Sequence, residues 1–119
     1  MAHRKGTILI PSGSADHLFI VCNDTCSMGA NLVVNISSFY DGCDDTCLLD
    51  RGDHPFVQHC SYVFYARAEI CKASNLQSGI SQGKLRPQAD MSEDVFFRVL
   101  EGFHTSPDTA MRILKYLNR

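Results

Sequence analysis

The sequence predicts a mainly β, α+β domain: a small antiparallel, barrel-like sheet followed by two C-terminal helices. Three observations carry this expectation. Short β-favouring runs separated by turn chemistry fill the first seventy or so positions. The connections between them are too short for a crossover helix, which leaves antiparallel pairing. Beyond residue 90 the apolar period changes from that of a strand to that of a helix.

Gly6 to Ile10 is the first run, ended by Pro11-Ser12-Gly13-Ser14. His17 to Cys22 is the second, and Asn23 to Gly29 makes a polar connection to the third, Leu32 to Ser38. In that third run Leu32, Val34 and Ile36 share one face, and Val33, Asn35 and Ser37 the other. Phe39 to Asp53 is rich in Asp and reads as a long loop with a short strand at Cys47-Leu48-Leu49. Ser61 to Cys71 is expected as the longest strand, with Tyr62, Phe64, Ala66, Ala68 and Ile70 toward the core. Ser61, Val63, Tyr65, Arg67 and Glu69 then take its polar side.

Residues 74–90 show little periodicity and read as a linker with at most one short strand or turn. Val95, Phe96, Val99, Leu100 and Phe103 then fall on one helical stripe. Ser92 is its expected N-cap, with Glu93 and Asp94 in the first turn and Met91 placed as a hydrophobic staple. Ser106-Pro107-Asp108 reads as the start of a second helix, whose stripe is Ala110, Ile113, Leu114 and Leu117. The chain 1–119 is thus expected as one domain, with strands and long loop over 1–73, linker over 74–90 and helices over 91–119.

Eleven Lys and Arg against thirteen Asp and Glu leave a net charge of -2, so any nucleic-acid contact must come from a local patch. No run approaches the roughly 20 apolar residues of a bilayer span, and the N-terminus lacks signal-peptide character, which predicts a cytoplasmic protein with no membrane partner. In that compartment the six cysteines are expected mainly as free thiols, and Asn23-Asp24-Thr25 and Asn35-Ile36-Ser37 are not glycosylation sites.

Four sets of residues could carry chemistry. Cys22, Cys26, Cys43 and Cys47, with His54, His59 and Cys60 downstream, include zinc-ligand types, although three residues rather than two separate each pair. Asp53-His54-Pro55 places a proton-trading imidazole beside a carboxylate, and equally suits a hydrogen-bonded loop histidine. Asn35, Ser37, Tyr65 and Arg67 would share a polar face if their strands are neighbours, where the guanidinium fork matches a phosphate or pairs with Glu69. Cys47 or Cys60 near the histidines is a further option for thiolate chemistry.

The order of elements resembles the MazF/PemK-like toxins, SH3-like barrels that cleave RNA. The resemblance rests on Lys5-Gly6-Thr7-Ile8-Leu9-Ile10, on His17 to Val21, and on Leu32 to Ser38 with its closing hydroxyls. Ser61-Tyr62-Val63 opening a strand and Met91-Ser92-Glu93 entering a helix fit the same plan. Members commonly carry Arg-Pro where this chain has Asp16-His17-Leu18. The resemblance implies an SH3-like fold and metal-independent cleavage of single-stranded RNA with no cofactor, a cognate antitoxin and a homodimer. His54 is then the expected acid or base, with His17 in reserve, Arg67 the cation for phosphate, and Ser38 or Ser37 the positioning hydroxyl. Asn35, Tyr65 and Tyr40 are the expected RNA contacts, together with Phe39 as a stacking platform. Two other functions stay open: a catalytically inactive barrel that binds a protein partner, and a zinc-supported adaptor.

Overall fold

The computed structural model describes Gly6, residues 8–13 and residues 17–119. Ile8–Pro11 (β1), Leu18–Val21 (β2) and Ala30–Ser38 (β3) form the centre of an antiparallel sheet. Leu48–Leu49 (β4), Ser61–Val63 (β5), a 3-10 turn at Tyr65–Arg67 and Glu69–Lys72 (β6) follow. Then come helix Ala73–Ser81 (α1), strand Leu85–Gln88 (β7), and helices Glu93–Thr105 (α2) and Met111–Leu117 (α3).

The sheet runs β4-β5-β3-β2-β1-β7, with β6 also beside β3. One side of the long β3 is shared: Ile36, Ser37 and Ser38 pair with β5, and Ala30 to Val33 pair with β6. The fold is therefore α+β and mostly strand, but the sheet is open where a barrel was expected. Its two ends are a two-residue strand, β4, and a strand carrying Pro87, which has no N–H to offer a neighbour.

Both faces of the sheet are covered, unequally. Ile8, Ile10, Leu18, Ile20, Leu32, Val34 and Ile36 pack with Val95, Phe96, Val99 and Phe103 of α2 and Ile113 and Tyr116 of α3 in the main core. On the opposite, outer face a smaller cluster of Leu9, Val21 and Val33 is covered by Leu76 of α1. Residues beyond the reach of α1 on that face form the open part of the sheet.

The expected long strand is broken at the 3-10 turn, and the break decides which side chains face out. Val63 and Tyr65 are buried in the main core, contrary to the expected polar side. Tyr65 is 1 % exposed, its hydroxyl donates to the Val99 carbonyl at 2.7 Å, and its ring meets Phe103 edge-on at 4.8 Å. Tyr62, across from Ser37, takes the outer side instead. The tight turn, at about three residues per revolution, advances the chain by an odd step before Ala68 returns to the core. Even positions before it and odd positions after it, Tyr62 and Phe64 and then Arg67, Glu69 and Cys71, thereby share the outer face.

Residues 74–90, expected as a linker, carry most of α1 and all of β7. Leu76 and Ile80, one helical turn apart, pack onto the outer cluster. The start of α2 is as expected: the Ser92 hydroxyl accepts from the Val95 amide at 3.5 Å, with Glu93 and Asp94 in the first turn. The last helix begins later, at Met111. Ser106 instead ends α2, donating its hydroxyl hydrogen to Asp44 and accepting from the Asp108 amide at 3.1 Å.

Candidate nucleic-acid interface

The register of β2 against β3 sets up the site. Phe19 lies opposite Asn35 and Leu18 opposite Ile36, and His17, just before β2, lines the same opening as Phe19 and Asn35. Side chains directly opposite in an antiparallel pair point to the same side, so His17, Phe19, Asn35 and Ser37 form a patch on the outer face. On the other flank of β3 the Phe64 amide donates to the Asn35 carbonyl at 2.9 Å, which brings the 3-10 turn up beside the patch.

A cleft of about 480 Å³ opens there, lined by His17, Phe19, Asn35, Ala66, Arg67 and Glu69. The Arg67 guanidinium lies over the Phe64 ring, 5.2 Å from its centroid, a cation–π contact that holds the charge at the cleft wall. Glu69 pairs with Arg112 of α3 at 3.4 Å and not with Arg67. Asn35 is 7 % exposed, and its side-chain amide donates to the Ser37 hydroxyl at 3.3 Å.

An aromatic row leads away from the cleft. The rings of Phe64 and Tyr62 are 5.1 Å apart, and those of Tyr62 and Tyr40 are 5.8 Å apart in an edge-on arrangement. Burial, and then the neighbouring Tyr40 phenol, push the Tyr62 phenol up. Tyr40 is 57 % exposed and Phe39 is exposed as well. Tyr62 itself is 3 % exposed, so the most open ring of the row is at its Tyr40 end.

Three expected residues do not join this patch. Tyr65 is inside the core, so its ring is no stacking platform. His54 is 4 % exposed: its Nδ1 accepts from the Phe56 amide at 3.2 Å, and its Nε2 lies 2.8 Å from the Ala89 carbonyl. The first contact leaves the ring proton on Nε2, which donates to Ala89. His54 is a structural clamp between the loop and the segment entering α2. Ser38, one residue from Ser37, points to the opposite side of β3 by strand alternation and meets the His59 Nε2 at 2.8 Å. The expected convergence of His54, Ser38 and Arg67 therefore does not occur, whereas His17, Asn35 and Arg67 do line one cleft and Ser37 adjoins it.

Phe19 and Glu69 belong to the site and were not expected in it. The signal for Phe19 was its place between Leu18 and Ile20, which core positions on a strand require to face the other way. Glu69 was expected only as a partner for Arg67.

The cysteines do not assemble. All six are free; Cys22 and Cys47 are buried, and burial pushes both thiols up. Among the described residues no group of three or more His, Cys, Asp and Glu side chains is placed to hold a metal ion. Likewise, among the described residues no helix is long and apolar enough to cross a membrane. Comparison of the chain with protein-family models, curated proteins and solved structures finds no match.

Proposed function

We propose that this domain binds single-stranded RNA along its outer sheet face and cleaves it in the His17–Arg67 cleft, as a divergent MazF/PemK-like endoribonuclease. The observation that carries the reading is the meeting of an imidazole, a carboxylate, a guanidinium and a buried amide around one opening, from which a row of rings leads to the exposed Tyr40. Cleavage of RNA needs a base to take the proton of a ribose 2'-hydroxyl, an acid to give one to the departing 5'-oxygen, and positive charge on the phosphate. In the reaction the O2'–P bond forms as the P–O5' bond breaks, leaving a 2',3'-cyclic phosphate and a 5'-hydroxyl.

Glu69 and His17 supply the base and acid, Arg67 the charge, and Asn35 with Ser37 positions the phosphate. Side chains cover all of these roles, so the proposal requires no cofactor. A cytoplasmic site of action, a cognate antitoxin and a homodimer belong to the same reading. It is tested by incubating a fluorescent single-stranded RNA with the purified protein in EDTA and mapping its ends. His17→Ala and Arg67→Ala should each lower the cleavage rate by about 10²-fold or more while the protein stays folded. Undiminished cleavage by His17→Ala, or intact RNA with the wild type, would overturn the proposal.

A second reading, a non-catalytic partner-binding module, is favoured by the exposed Phe97 and Leu48, which line a hollow of about 300 Å³ between β4 and α2. Intact RNA together with a stoichiometric complex with an antitoxin-like protein would support it.

A further inference from the structure

The cleft is continuous with a second, apolar cavity, and we infer that this cavity is a base pocket that takes one pyrimidine of the bound RNA. The inference rests on the RNA-binding reading above. The cavity has a volume of about 190 Å³ and is lined by Leu9, Phe19, Val33, Cys71, Leu76 and Leu85, with Arg67 and Glu69 also on its wall. Phe19, Arg67 and Glu69 line both openings, so the two form one groove that changes from polar to apolar beneath α1.

Three features select the occupant. The lining is almost wholly carbon, which suits a flat ring better than a phosphate or a sugar. The size suits a single ring: an apolar cavity of about 150 Å³ admits benzene, so the volume here takes a six-membered ring, whereas the fused rings of a purine would extend out of it into the cleft. The Arg67 guanidinium at the shared boundary carries more donors than a phosphate uses and offers one to the polar edge of the ring, which cannot be buried without partners. The pocket directly adjoins the catalytic groups, so the seated base is that of a nucleotide flanking the scissile phosphate.

A wall of aliphatic side chains also defines what should change the preference. Cys71 and Leu85 are only partly buried, so replacing them alters the pocket without opening the main core. The test uses His17→Ala protein, which leaves bound RNA intact, and a random pool of single-stranded RNA decamers that is retained on the protein and sequenced. Retained molecules should show pyrimidine over purine by about tenfold at one position. A second substitution, Cys71→Phe, fills the pocket and should erase the preference, and Leu85→Ala enlarges it and should admit purines there. Retention of RNA with no preferred position, or a preference indifferent to both pocket substitutions, overturns the base pocket and leaves the RNA reading standing. Failure of the pool to bind at all overturns both.

Discussion

The two ring nitrogens of His54 are both committed to backbone partners, Phe56 and Ala89, in a nearly sealed setting. His54→Ala leaves an amide and a carbonyl without those partners and should cost about 1–3 kcal/mol in urea unfolding. Cleavage per folded molecule should be unchanged, the reverse of His17→Ala. Cys26 shows how one contact sets reactivity. The Tyr116 hydroxyl donates to its sulfur at 3.3 Å and, as the main cause, holds the thiol down at about 7. The thiolate is the nucleophile, so alkylation by iodoacetamide should rise with pH through a midpoint near 7 at Cys26. Peptide mass spectrometry should find Cys26 labelled ahead of Cys22, Cys47 and Cys71, whose thiols burial pushes up. Tyr116→Phe should move the Cys26 midpoint upward.

At the scale of elements, the contact between α2 and the 3-10 turn holds the site wall in place. Gly102 of α2 leaves the space that Tyr65 fills: a Cβ there would sit 1.9 Å from the Tyr65 hydroxyl oxygen. Alanine is worth about 1 kcal/mol over glycine in a helix, yet forcing a buried phenol aside costs about 1–3 kcal/mol and also strains its bond to Val99. Gly102→Ala should therefore lower the urea midpoint. Its effect should be non-additive with Tyr65→Phe, because the hydroxyl nearest the new methyl is the group that Phe lacks. A shift of this turn also moves Arg67, two residues along, so RNA cleavage should fall with it. The same turn is why residues 61–71 do not form the single strand expected. Its alternation is regular within β5 and within β6, but the turn between them changes which parity faces the core.

For the whole molecule, a net charge of -2 means that RNA affinity cannot come from a general positive field. It must come from few phosphate contacts and from stacking, which predicts a shallow salt dependence. Each phosphate contact on a single strand contributes about 0.7 to the slope of log K against log salt. Arg67→Ala should thus reduce that slope by about 0.7 in fluorescence anisotropy, and Tyr40→Ala should weaken binding with the slope unchanged. A steep wild-type slope would place the RNA on some other, more basic surface.

Residue type and spacing were sufficient to place β1, β2 and β3, to assign the two faces of β3 and to cap α2 at Ser92, because each depends on near neighbours in the chain. Alternation on β3 also grouped Asn35 with Ser37; Arg67, expected on the same face together with Tyr65, lines a cleft with Asn35, whereas Tyr65 lies in the core. What tertiary structure alone decided was which apt residues meet. His54 and His17 are the same side chain, each preceded by an Asp, and only the packing of the segment before α2 over one of them makes it a clamp, leaving the other at an open cleft. Helix α1 is not legible in the sequence because its Leu76 and Ile80 form too short a stripe to stand out locally and are stabilised by the sheet beneath them. Burial is a property of what folds back over a residue from elsewhere in the chain, and no local pattern contains it.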